Sequence, residues 1–288
     1  VRIHRFASAA DFLALAEPAL AAAEVENNLI LGLAYALAAR GPVAGALPPY
    51  FAAATDEARR VVMCAFRTLP GKVGVTRALR RDALRPLAED VWRACPDAAS
   101  VIGPRPTVDA FAADLAAISG MTAAPHTNQR LYELRAVVPP ARPPRGHLRT
   151  ARAGDAAPLV AWATDFFAAI REPGDAHGFV RSHLADGSLV VWDDEGPAAM
   201  AAAAGRTTHA ARVGFVYTPP ERRRRGYASA LVAALSQRLL DEGRSSCCLY
   251  TDLANPTSNA IYQRIGFTPC CDIGRYTLSV TRTSVNPS

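Results

Sequence analysis

The sequence predicts an α/β chain, with α+β mixed sheets, built as two tandem domains that each wrap helices around a central mixed β-sheet. Three observations carry this. Residues 137–146 read VVPPARPPRG, with four prolines in ten positions. Prolines remove backbone donors and favour extended chain, so the segment is a stiff linker that divides the chain into halves of similar size. The halves also begin alike: VRIHRFASAADFLALA from Val1 and LRTARAGDAAPLVAWA from Leu148, an offset of 147 that sets Arg2 over Arg149, Arg5 over Arg152 and Ser8 over Asp155. Within each half, short β-prone runs alternate with helical periodicity, the pattern of layered α/β folds. The expected domains are 1–136 and 147–288, joined by the linker 137–146.

In the first half, a short strand ends at Ser8, an N-cap for an amphipathic helix, and a second helix covers 29–39. Strands follow over 59–67 and 72–76, a helix over 82–95, a strand over 100–103, a helix over 108–119, and a strand over 130–138 that runs into the linker. In the second half, a strand over 147–152 precedes helices over 155–169, capped by Asp155, and 177–185. A hairpin pairs 189–192 with 197–205 through the turn DDEG. A strand over 211–217 leads to a long helix over 227–242. Ala228, Leu231, Val232, Leu235 and Leu239 lay one apolar stripe along that helix, and Gly243 stops it. A strand over 246–252, a short helix opened by Asn255 and Pro256 and closed by Gly266, and a last strand over 276–281 complete the half.

Composition narrows the class. Half of the 288 residues are apolar, enough for buried cores, and no apolar run approaches the ~18 residues of a membrane span. Asp11 and Glu17 interrupt the mildly apolar N-terminal stretch, so a cytoplasmic location is expected. The six cysteines, at 64, 95, 247, 248, 270 and 271, lack C-x-x-C spacing, so reduced thiols and no metal are expected. The formal charge is +6, almost wholly arginine, with Lys72 the sole lysine. That balance suits an anionic ligand. Arg222 to Arg225 have neither interleaved aromatics nor a DNA-binding motif around them, so neither a nucleic-acid nor a membrane partner is expected.

Two segments carry chemistry. In VGFVYTPPERRRRGYA, residues 213–228, a strand feeds an arginine-rich loop that opens a helix. A helix start offers unpaired N–H groups and partial positive charge, and the small Gly226 and Ala228 let an anion approach the main chain. The segment has neither the Walker nor the dinucleotide glycine spacing. In LYTDLANPTSNAIYQRIGF, residues 249–267, Asn255, Asn259 and Tyr262 share one helix face.

Together these segments resemble the GNAT acetyltransferase superfamily. Arg223-Arg224-Arg225-Gly226-Tyr227-Ala228 satisfies its R/Q-x-x-G-x-G/A loop, and Asn255, Tyr262, Gly266 and Phe267 match its later N-x-x-A-x-x-x-Y-x-x-x-G-F, with Ser258 in place of the usual alanine. The resemblance covers the second half and implies acetyl-CoA as co-substrate. It implies that Val216, Tyr217 and Thr218 pair with the pantetheine arm, and that Arg223, Arg224, Arg225, Gly226, Tyr227, Ala228 and Ser229 hold the diphosphate. Asn255 and Asn259 fall on the cofactor side, and Tyr262 is the expected general acid. Many members carry a glutamate on the motif strand; residues 212–218 hold no carboxylate, so the candidate bases are Asp252 first, His209 and Glu172, with a water chain and no dedicated base as the alternative. The first half has no such loop and reads as a degenerate GNAT-like domain. The expected function is N-acetylation of a primary amine of a small-molecule acceptor, with a non-enzymatic acyl-CoA sensor or scaffold as the rival. A homodimer is an admissible assembly.

Overall fold

A computed structural model describes residues 1–41, 47–69 and 71–280. The first repeat runs β1 (Arg2–Phe6), α1 (Ala9–Ala21), α2 (Asn28–Arg40), β2 (Tyr50–Thr55), β3 (Val61–Leu69), β4 (Lys72–Val75), α3 (Leu84–Ala94), β5 (Ser100–Pro104), α4 (Thr107–Ser119) and β6 (Met121–Leu134). The second runs β7 (His147–Thr150), α5 (Ala156–Ala169), α6 (Ala176–Ala185), β8 (Leu189–Asp193), β9 (Pro197–Ala204), β10 (Ala210–Tyr217), α7 (Tyr227–Asp241), β11 (Ser246–Asp252), α8 (Pro256–Ile265) and β12 (Thr268–Val280). The order β-α-α-β-β-β-α-β-α-β occurs twice, so the likeness of the two chain starts extends to the whole fold. Each repeat is a mixed sheet flanked by helices.

The chain forms two compact units. One comprises Val1–Leu131, Asp252–Ala254 and the chain from Cys270 onward; the other comprises Tyr132–Thr251 and Asn255–Pro269. In the first unit the strand order is β1-β2-β3-β4-β5-β12, with β12 antiparallel to β5 in the register Ile273↔Pro104 to Thr277↔Ser100. In the second it is β6-β11-β10-β9-β8-β7, where β6 contributes its last residues. Each unit therefore takes a strand from the other repeat, whereas a division at the proline-rich segment assigns every strand to its own half. Residues 132–146 group with the second unit.

Three further differences from the sequence expectation have local causes. Strand β2, YFAAAT, is buried at all six positions, so its alanines show no alternation of apolar and polar residues. Strand β6 starts at Met121 rather than at 130, because its first half is rich in exposed polar residues. Strand β12 starts at Thr268 rather than at 276, across Pro269 and Gly274, which read as loop. Its expected end at Thr281 lies outside the described residues.

Two apolar clusters sandwich the sheet of the second unit. On one face, Leu231, Leu235 and Leu239 of α7 and Ile265 of α8 pack on Ala211, Val213, Cys247 and Leu249. On the other, Leu159 and Ala163 of α5 and Val180 of α6 pack on Leu189, Val191, Met200 and Ala202. In the first unit, α3 and α4 cover one sheet face and α1 and α2 the other. All six cysteines are free thiols. Among the described residues no helix is long and apolar enough to cross a membrane.

Candidate functional site

The site is built where β10 leaves its parallel neighbour. The two strands pair as Ala210↔Ser246, Ala211↔Cys247 and Arg212↔Cys248, and the register ends there. On its other side β10 keeps β9, with Gly214↔Ala202 followed by Tyr217↔Met200, so one extra residue is accommodated as a bulge. Phe215 sits in that bulge at φ +53°, a conformation that non-glycine residues seldom adopt. Over residues 213–217, β10 thus pairs with β9 on one edge and has left β11 on the other. The bulge also resets the strand's parity: Tyr217 turns into the α5/α6 cluster and donates from its hydroxyl to Asp165 at 2.9 Å, while Val216 packs toward α7. Burial and the neighbouring Asp165 carboxylate push the Tyr217 phenol pKa upward. At the end of the opened edge the Thr218 hydroxyl oxygen is buried without a hydrogen-bond partner in the protein.

The loop that follows is shaped by left-handed residues. Arg224 has φ +62° and Gly226 has φ +84°. Glycine suits this position because of its backbone conformation; an added Cβ would meet nothing closer than Pro144, at 3.7 Å. Gly226 is the N-cap of α7 and brings no side chain, so the first N–H groups of the helix, on Tyr227, Ala228 and Ser229, receive no side-chain cap. Arg223, Arg224 and Arg225 are exposed beside this bare terminus. The Arg223 guanidinium donates through Nε to the Thr218 carbonyl at 3.0 Å and lies 5.9 Å from the Tyr217 ring centroid, which fixes the loop to the strand end. Tyr227 is buried and donates its hydroxyl proton to Asp194, which anchors the first turn of α7. Free N–H groups, the helix dipole and adjacent guanidinium groups together are features that attract an anion.

Helix α8 supplies the other wall. Asn255 caps it, accepting the Ser258 N–H at 3.1 Å, and Pro256 takes the first helical position. Asn259 donates from Nδ2 to the Asn255 carbonyl at 2.7 Å and accepts the Tyr132 hydroxyl at 3.1 Å; Gln263 donates to that same hydroxyl at 3.2 Å. Both asparagine amides are thus engaged in holding α8. Tyr262 is 8% exposed, stacks edge-on with Phe267 and hydrogen-bonds Ser258 one turn back. Burial pushes its pKa up to about 12, so the phenol keeps its proton at neutral pH.

Tyr227 and Tyr262 belong to the α7/α8 cluster and Val216 packs against it, so the opened strand, the loop and the helix face border one apolar core. Asp252 is exposed at the end of β11; it accepts the Ala254 N–H at 2.8 Å and groups with the first unit. His209 precedes β10, exposed, and Glu172 follows α5, half-buried. Sequence reasoning passed over three contributors: the Phe215 bulge, to which Gly214 was the available hint, the Tyr132–Asn259–Gln263 network, and Asp165 under Tyr217. Among the described residues no group of three His, Cys, Asp or Glu side chains is placed to hold a metal.

Comparisons agree with this geometry. The model of the FR47-like protein family matches residues 193–273, the stretch that holds the opened strand, the loop, α7, β11 and α8. A Drosophila melanogaster protein superposes with a TM-score of 0.69 at 16% identity, covering 96% of this chain and 98% of that one. A GCN5-related N-acetyltransferase from Sphaerobacter thermophilus gives a TM-score of 0.61 at 18% identity over 95% of this chain and 94% of that one. A tandem GNAT protein from the clavulanic acid biosynthesis pathway gives 0.57 at 16% identity, with full coverage of both chains. At these identities the likeness is one of fold. No curated protein matches the sequence. With a twice-repeated arrangement found also in a tandem GNAT protein, and an FR47-like match over the opened strand and its loop, the chain has the fold of the GNAT acetyltransferases.

Proposed function

We propose that the chain is an acetyl-CoA-dependent N-acetyltransferase, with its acyl-transfer site in the second unit and a primary amine of a small-molecule acceptor as nucleophile. The observation that carries this reading is the parting of β10 from β11 after Arg212, immediately before the bare N-terminus of α7. Bound acetyl-CoA supplies a thioester, an acyl group already activated for transfer. The backbone of residues 213–217 and the Thr218 hydroxyl offer hydrogen bonds of the kind an amide-bearing pantetheine arm takes when it adds to a sheet edge. The N–H groups of Tyr227, Ala228 and Ser229, with Arg223, Arg224 and Arg225, suit a diphosphate. Asn255 and Asn259 act by holding α8, and so Tyr262, in place.

Tyr262 carries the proton for the departing thiolate. Its raised pKa keeps it in the acid form across the neutral range, and it belongs to the cluster against which Val216 of the opened strand packs. In this reading the amine proton passes to water, since β10 has no carboxylate and Asp252 groups with the first unit. The rival reading, an acyl-CoA sensor, is favoured by the lack of any carboxylate along β10. Calorimetry and a thiol-release assay over amines, polyamines, amino acids and peptides decide between them. The enzyme reading expects one acetyl-CoA per chain and release that depends on amine concentration. Binding with no amine-dependent release is the outcome expected of the sensor.

A further inference from the structure

Arg212 occupies the last rung on which β10 and β11 pair, between Ala204 of β9 and Cys248 of β11. Its strand neighbours Ala211 and Val213 point into the α7/α8 cluster, as do Cys247 and Leu249 of β11. By strand alternation Arg212 and Tyr250 therefore share the opposite face. The guanidinium carbon lies 6.0 Å from the Tyr250 ring centroid, a stacking arrangement that fixes the plane of the fork. Its Nη1 is buried and meets no hydrogen-bond acceptor in the protein. Among the described residues no carboxylate forms an ion pair with Arg212, whereas Arg149 of the same unit pairs with both Asp155 and Asp193. A buried guanidinium nitrogen left without an acceptor is unfavourable, so its retention beside the opening of the strands calls for a ligand that supplies one.

We propose that Arg212 recognises a carboxylate of the acceptor, and that the acceptor is an amino-carboxylate, a molecule carrying both the amine that is acylated and an anionic carboxyl group. The proposal rests on the acyl-transfer reading above and narrows its substrate class. A planar fork whose orientation is set by an aromatic ring matches the two oxygens of a carboxylate. One guanidinium balances the single charge of a carboxylate, where a phosphate monoester calls for more. The same charge repels polyamines. It also lowers the pKa of an amine held nearby, which favours the neutral nucleophile on a strand that has no carboxylate of its own.

The test uses the full chain. Each protein amino acid, and β-alanine, is assayed by thiol release from acetyl-CoA against its own amide, with spermidine and O-phosphoethanolamine as further acceptors. Charge-assisted hydrogen bonds of this kind predict kcat/KM for the best acid at least ~10-fold above its amide. In Arg212→Gln that preference disappears, mainly through KM, while acetyl-CoA affinity and Tm stay at the native values. Arg212→Lys, which keeps the charge and loses the fork, falls between. Equal turnover of acids and amides, a preference for spermidine or for the phosphate ester, or an acid preference that survives in Arg212→Gln overturns the proposal. So does a Tm loss in both variants accompanied by no acid preference in the native chain, the signature of a purely structural arginine. If acetyl-CoA binds and no amine promotes release, the enzyme reading fails. Calorimetry of the same acids and amides into the CoA-loaded protein then decides whether Arg212 still selects a carboxylate: acids binding over amides supports the assignment, and equal or absent binding ends it.

Discussion

The two repeats share an element order and differ beyond the last rung of their parallel strand pair. In the first, β4 and β5 pair as Lys72↔Ser100, Val73↔Val101 and Gly74↔Ile102; in the second, β10 and β11 pair as Ala210↔Ser246, Ala211↔Cys247 and Arg212↔Cys248. Gly74 thus stands where Arg212 stands. Beyond that rung the first unit stays shut. Gly103 lies so close to Val75 that a Cβ on it would sit 2.7 Å from the Val75 carbonyl oxygen, and the Ala78 N–H donates to the Thr107 hydroxyl at 2.9 Å, tying the connection after β4 to the start of α4. The connection has no glycine, and a turn of 3-10 helix over Arg81–Ala83 runs into α3, with the Leu84 N–H bonded to the Arg81 carbonyl. Asp82 puts an exposed carboxylate in that turn. The second unit has the opposite features: a bulge, an orphaned Thr218 hydroxyl where the first has a bridging bond, and a glycine cap among arginines. A shared fold therefore does not carry the same local geometry at this rung; a few local hydrogen bonds and one left-handed glycine separate the two.

Gly226→Glu breaks the comparison most sharply, because it gives the second loop the acidic, non-glycine character of the first. An L-residue at φ +84° is strained by roughly 1–2 kcal/mol, and the carboxylate stands where a diphosphate would bind. Acetyl-CoA affinity is expected to fall at least ~100-fold by calorimetry. Unchanged affinity, or two sites per native chain, would remove the contrast between the repeats.

Tyr262→Phe sharpens the comparison at the chemical step. The ring and its packing on Phe267 remain and the hydroxyl is lost. Single-turnover kcat is expected to fall at least ~10-fold, with acetyl-CoA affinity nearly unchanged, since general acid catalysis is worth ~10²–10⁴-fold and water substitutes in part. A native single-turnover rate in this variant assigns Tyr262 to packing alone.

Thr107→Ala probes the closed repeat and has the smallest effect. It removes the acceptor of the Ala78 N–H at a buried position, a loss of about 1–2 kcal/mol seen as a lower Tm. Acetyl-CoA stoichiometry stays at one per chain. A second binding site in this variant would mean that this single bond had been holding a competent site shut.

The sequence by itself determined the parts of the protein that are local in the chain. The glycine-capped helix after four arginines and the Asn-Pro start of α8 are each written within about a dozen residues, and capping and helix periodicity act over that range. Tertiary structure decided the rest. An alanine strand such as β2 has no pattern until both its faces are covered, and the exchange of β6 and β12 depends on pairing between segments far apart in sequence. The tie between the connection after β4 and the start of α4 is a hydrogen bond between Ala78 and Thr107, 29 residues apart. Arg212 reads in the sequence as one more arginine. Its buried nitrogen without an acceptor exists only once β9, β10 and β11 lie side by side, because desolvation is a property of the packed neighbourhood and not of the chain.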